Sequence, residues 1–190
     1  MRIEIISYPE YYPNLHEPVY APHWYLKGHF DEYSNKIVSS KRNDESNFFL
    51  PYLKNLLQEL KNLNYIGKIN LVTIVPNSHL SYSPTLENIG LLIASYLNAK
   101  YEKLIIRTRE GRRNQRGNFI SDRFIDTSNS MQVIRHIQDE ENSILLIDGT
   151  KTSGITNLEC IKILKDNGAR SIVCICLGIN HNPEFFGEEE

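Results

Sequence analysis

The sequence predicts an α/β fold, a mostly parallel sheet flanked by helices, with an irregular N-terminal segment ahead of it. Three observations carry this expectation. From Ile69 onward, apolar runs of strand length alternate with stretches of helical periodicity. Turn formers fall between them, among them Pro76-Asn77-Ser78 and Asn167-Gly168. The 190 residues are 41% hydrophobic and 23% charged, an ordinary globular composition with enough chain for a sizeable core. Strand–helix alternation of this kind implies right-handed crossovers between parallel strands.

The elements divide the chain into an N-terminal segment and helix over residues 1–66 and an α/β core over residues 67–190. From Tyr8 to Tyr33 stand six tyrosines, four prolines, three histidines and Trp24. No sustained period links them, so the segment reads as loop with short strands, the first at Arg2–Ser7. After the charged run at 41–45, Phe49, Leu53, Leu56, Leu57, Leu60 and Leu63 recur at helical spacing, with Pro51 tolerated in the first turn. Residues 69–75 read as a buried strand, and Leu86, Ile89, Ile93 and Leu97 mark the helix after it. Residues 103–107 form the expected second strand. After a long polar stretch, Val133, Ile134 and Ile137 mark a short helix with these residues inward. Residues 143–147 are the third strand, 157–166 the next helix and 171–177 the fourth strand, with Gly168 placed to end the helix.

A net charge of -2, from 21 Lys+Arg against 23 Asp+Glu, argues against a generally basic surface for nucleic acid; any anion site must come from local clustering. Cys160, Cys174 and Cys176 have no metal-ligand spacing, so buried free thiols are expected and structural zinc is not. No apolar stretch approaches the length of a membrane span, and the opening residues hold no signal-peptide core. A cytoplasmic location follows as the expectation, with no membrane partner.

Ligands of parallel sheets bind beyond the carboxyl ends of the strands. There the chain carries its most informative stretch. Ile144, Leu145, Leu146 and Ile147 reach the sheet edge, and Asp148 follows, a carboxylate that is costly to bury unless used or paired. Gly149, Thr150, Lys151, Thr152, Ser153, Gly154, Ile155 and Thr156 then lead into a helix. Unpaired helix N–H groups, partial positive charge and four hydroxyls suit a phosphate dianion. Gly154 lets the backbone approach the anion, so Gly154→Val is expected to block binding. The same residues also read as a plain turn and helix cap. Earlier, Arg107, Arg109, Arg112, Arg113 and Arg116 crowd ten residues. That run reads as a cationic lid, a solvated loop or, with least support, a nucleic-acid patch.

Residues 144–156 resemble the signature of type I phosphoribosyltransferases: four apolar residues, usually two acids, then a Thr/Ser-Gly-x-Thr loop. The order of a strand ending in Val75-Pro76, a helix, an Arg-rich stretch with Gln115, and this signature is most similar to the ComF branch. The resemblance implies transfer of a phosphoribosyl group from 5-phosphoribosyl 1-pyrophosphate to a nucleobase-like or amine nitrogen, with pyrophosphate released and Mg²⁺ as cofactor. It implies that Asp148 serves the ribose, the metal and the reacting carbon, with Arg109 acting beside it from the lid. Thr150, Lys151, Thr152, Ser153, Gly154, Ile155 and Thr156 would hold the 5-phosphate. Asn77, Ser78, His79, Arg112 and Arg113 would hold the pyrophosphate. The N-terminal segment would form a hood, whose Tyr11, Tyr12, Tyr20, Trp24 and Tyr25 either stack on a planar acceptor or pack on the core. Gly149 stands where the family usually has its second acid, as it does in some uracil-specific members. With the divergent loop after Val75, it favours a second reading, a non-catalytic relative that binds a nucleotide or the pyrophosphate sugar as a sensor or partner protein. A homodimer is left open.

Overall fold

A strand that is apolar on every residue needs cover on both faces, and the run at 144–147 receives it. The computed structural model describes residues 1–26, 31–78, 80–110 and 120–180. Strand β1 spans Arg2–Ser7, β2 His16–Ala21 and β3 His23–Tyr25; α1 spans Glu32–Ser39 and α2 Ser46–Asn62. Then come β4 (Leu71–Ile74), α3 (Pro84–Leu97), β5 (Lys100–Tyr101), β6 (Ile105–Arg107), α4 (Ile120–Thr127) and β7 (Met131–Val133). After a 3₁₀ turn at Asp139–Glu141 follow β8 (Ser143–Lys151), α5 (Ile155–Asp166) and β9 (Ser171–Asn180).

The fold is mixed α/β with a mostly parallel central sheet flanked by helices. Its strands run β1-β2-β9-β8-β4-β5, with β3 also on β9, and only the β1–β2 pair is antiparallel. Ile144 and Leu146 of β8, with Cys174 and Cys176 of β9, join the layer in which α5 buries Leu158, Cys160, Ile161 and Leu164. Leu145, Ile147, Ile175 and Leu177 join the opposite layer, with Phe49, Leu53 and Leu57 of α2 and Ile89 and Ile93 of α3. Both cysteines of β9 share a face, as their spacing of two requires. All three thiols are free and buried.

Helix ends follow local chemistry. Asp31 accepts from the Ser34 N–H at 2.8 Å and opens α1, a helix the sequence reading left unassigned. Ser83 caps α3 and Pro84 stands in its first turn. After α5, Gly168 takes φ 108°, and the Ala169 N–H returns to the Leu164 carbonyl at 3.0 Å.

Two expected elements differ. The parallel partner of β4 on its outer side is β5, and residues 103–107 do not continue it. Glu102 N–H still reaches the Val72 carbonyl, but the Leu104 N–H turns to the Thr73 hydroxyl at 3.1 Å and leads the chain out of the sheet. Ile105–Arg107 then pair antiparallel with Met131–Val133 as a separate ribbon. Val133 and Ile134 are therefore not helical. Both are β-branched, and the Ile134 N–H extends the ribbon by donating to the Leu104 carbonyl. Ile137 is buried as expected, while Ile134 is largely exposed. The helix of this region is α4, which ends three residues before β7. Finally, the N-terminal segment contributes three strands to the main sheet, and no helix among the described residues is long and apolar enough to cross a membrane.

Candidate functional site

β8 does not stop at the apolar run. Its ladder with β9 continues through Asp148↔Cys176, Thr150↔Gly178 and Lys151↔Ile179, so the turn before α5 is only Thr152, Ser153 and Gly154. Asp148 is half-buried beside the first turn of α5. Its Oδ1 accepts the Gly149 N–H at 2.7 Å, and its Oδ2 accepts the amide of buried Asn157 at 3.0 Å. Burial pushes its carboxyl up to about 6; the two hydrogen bonds and the charges of Lys41 and Arg107 hold it from rising further. At neutral pH it is mostly ionised.

Arg107, at the end of β6, donates to the Ser130 hydroxyl at 3.0 Å and is itself pulled down by burial. Lys41, in the link between α1 and α2, is exposed. A carboxylate facing two cations beyond the sheet's carboxyl edge can meet a ligand that is both polyanionic and hydroxylated. Sequence reasoning missed Lys41 and Asn157. Asn157 carried a faint signal, an amide in the first turn of the helix that follows Asp148. Lys41 carried none, because it comes to the site through the packing of α1 and α2.

Among the expected phosphate residues, the placements diverge. Gly154 adopts φ 83° as the residue before α5, and no side chain caps the helix's first N–H groups. Thr152 is exposed, while Ser153 and Thr156 are half-buried. Ile155 is a core residue at 1% exposure, and Lys151 is buried in an ion pair with Glu4 of β1. The close approach at Gly154 is to β1: an added Cβ would lie 2.5 Å from Ile6 Cδ1. The glycine is therefore required by packing against β1, whatever it offers a ligand. Tyr8 clamps the same turn, donating its hydroxyl to the Ser153 carbonyl at 2.8 Å.

Gly149 has open space around it, the nearest atom to an added Cβ being Leu86 Cδ1 at 3.9 Å. Gly149→Ala is therefore expected to change unfolding free energy by no more than about 0.5 kcal/mol in urea denaturation. The missing second acid is not a packing requirement.

The remaining expected residues are less gathered. Asn77 spends its N–H within its own turn, on the Ser81 carbonyl at 2.7 Å, and Ser78 is exposed. His79, Arg112 and Arg113 lie outside the described residues, as does most of the expected lid. Arg109 gives its guanidinium to the Ile125 and Ser128 carbonyls at 3.0 and 3.1 Å, closing the C-terminal end of α4. The aromatic residues pack on protein: Tyr11 stacks on Phe124 with centroids 4.4 Å apart, Tyr12 donates to buried Glu159 at 2.9 Å, and Tyr20 lies on Tyr65. No group of three or more His, Cys, Asp or Glu that could hold a metal forms among the described residues. A scan against protein-family models finds no match, and no curated protein is significantly similar to the chain.

Proposed function

We propose that the chain is a phosphoribosyltransferase-type protein that binds 5-phosphoribosyl 1-pyrophosphate and passes the phosphoribosyl group to a nitrogen nucleophile. The observation that carries this reading is Asp148 at the carboxyl end of a central parallel strand, followed within one short turn by an uncapped helix start. The uncapped amides and the hydroxyls of Thr152, Ser153 and Thr156 hold the 5-phosphate. Asp148, ionised above about pH 6, accepts ribose hydroxyls and stabilises positive charge at the anomeric carbon as pyrophosphate departs. Lys41 and Arg107 offset the charge of the anion. Mg²⁺ fits this donor set, since it binds through one or two carboxylates plus substrate phosphates and keeps its waters. Asp148 would be its protein ligand, and the ion would neutralise charge on the leaving pyrophosphate.

A second reading, a non-catalytic sensor of the same sugar, is favoured by Gly149 and by the use of Arg109 as a helix stop. Pyrophosphate release from the sugar with nucleobases or amines and Mg²⁺ separates the two. Release with one acceptor supports the enzyme; tight binding of the sugar with no release from any acceptor supports the sensor. Within the phosphate turn, Thr156→Ala removes a charge-assisted hydrogen bond and is expected to weaken ribose 5-phosphate binding by about ten- to a hundredfold in calorimetric titration. Unchanged binding leaves the turn as a helix start and nothing more.

A further inference from the structure

The turn that precedes α5 has a small cavity against it. A space of about 70 Å³ opens between β1, α4 and residues 151–153, with Glu4, Tyr8, Arg123, Lys151, Thr152 and Ser153 in its walls. One water occupies about 10–15 Å³ of such space, so the cavity takes a compact group of a few heavy atoms and excludes a nucleobase. The walls hold two cationic side chains and one anionic. Lys151 is 4% exposed, and its ammonium is engaged by Glu4. Arg123 reaches in from α4, with Nη1 3.4 Å from the Thr152 hydroxyl. Asn180, at the end of β9, is also in the wall, and its side-chain oxygen is buried with no hydrogen-bond partner. A polar group in that condition is satisfied by a hydrogen-bonding ligand or water, and the amide can turn its NH₂ toward an anion.

We propose that Arg123 is the side-chain cation for the phosphate held by the turn at 152–156, and that Glu4 is an internal counter-ion that competes with that phosphate for Lys151. The proposal rests on the phosphate reading of the turn given above and adds a residue that the sequence motif does not contain. Its chemistry is simple. A dianion entering the cavity finds a guanidinium fork that can bind two of its oxygens, where a hydroxyl and amides alone would give neutral hydrogen bonds. Glu4 meanwhile holds the buried ammonium neutralised when no anion is present, avoiding an unpaired charge in the interior. The same contact ties the phosphate turn to α4.

The test is calorimetric titration of the parent, Arg123→Gln, Arg123→Lys and Glu4→Gln with ribose 5-phosphate, and with ribose as the phosphate-free control. Arg123→Gln is expected to lose about tenfold or more in affinity, Arg123→Lys to recover part of it, and Glu4→Gln to bind several-fold more tightly. Ribose should show no dependence on either residue. If the parent binds ribose 5-phosphate and Thr156→Ala weakens it, but Arg123→Gln binds like the parent, the assignment of Arg123 is overturned and the phosphate turn stands. If Arg123→Gln weakens binding while a folded Glu4→Gln protein shows no gain, the counter-ion half is overturned. A parent that does not bind ribose 5-phosphate overturns the phosphate reading and this inference together.

Discussion

Asp148→Asn is expected to make the protein more stable at pH 8 and to cripple it as an enzyme. The carboxyl of Asp148 titrates near 6 in the folded chain against an ordinary value of 3.8. A carboxyl raised by folding binds more protons in the native than in the unfolded state between those values, so the parent loses stability as pH climbs from about 4 to about 6. The full cost of the buried charge is about 3 kcal/mol above that window. Partial solvent access and the imperfect fit of an amide between Gly149 and Asn157 reduce the gain to about 1–2 kcal/mol. Below pH 4 both proteins carry a neutral group and the advantage disappears. Urea denaturation at pH 4 and pH 8 measures the difference; equal gains at both pH values would show that charge burial is not the cause. On the proposed reaction, the same change slows turnover by about a hundredfold or more.

The other large effect is at Gly154. Valine there must adopt φ 83° and place its branches within the side chain of Ile6, 2.5 Å from the new Cβ at the closest atom. Left-handed backbone costs a β-branched residue about 1–2 kcal/mol or more, and overpacking adds about 1–3. Gly154→Val should therefore lower the unfolding free energy by roughly 2–5 kcal/mol and Tm by about 5–15 °C in a thermal melt. Pairing it with Ile6→Ala should return the overpacking part and leave the backbone part, a coupling that a double-mutant cycle reads directly. No return would mean that the side chains do not clash. Loss of ligand binding in Gly154→Val is not evidence for a phosphate contact, since the wall it strikes is the protein's own; Thr156→Ala is the cleaner probe.

What could be read from the residues was whatever the chain settles locally or over both faces of a strand. The apolar run at 144–147, the periodic helices at 49–60 and 86–93 and the turn at Gly168 all came through, because each is written in neighbouring residues. The ribbon of β6 and β7 did not, because Ile105 finds Val133 only after 27 intervening residues and nothing near Val133 announces a partner. The same limit applies at the site. The Asp148 turn was legible as a motif, whereas Lys41, Arg123 and the Glu4–Lys151 pair depend on elements that meet in space. Glu4 was the hardest of these. It lies in an alternating strand whose partner face no local pattern identifies, and its pairing holds Lys151, an expected phosphate ligand, in an internal ion pair.

The pairing of β2 with β9 also sets a timetable. Val19 meets Cys174, so about 150 residues must be synthesised before the early strands find their neighbour. At typical elongation rates of about 5–20 residues per second, that is roughly 8–30 s during which β1 and β2 have no sheet to join. Ile3 and Ile5 stay exposed even in the finished fold, so the waiting hairpin is a sticky segment on a nascent chain. Ile6, Glu4 and Tyr8 reach the turn before α5 only after this wait. A chain released before β9 emerges retains the Asp148 motif in full and has no wall behind it.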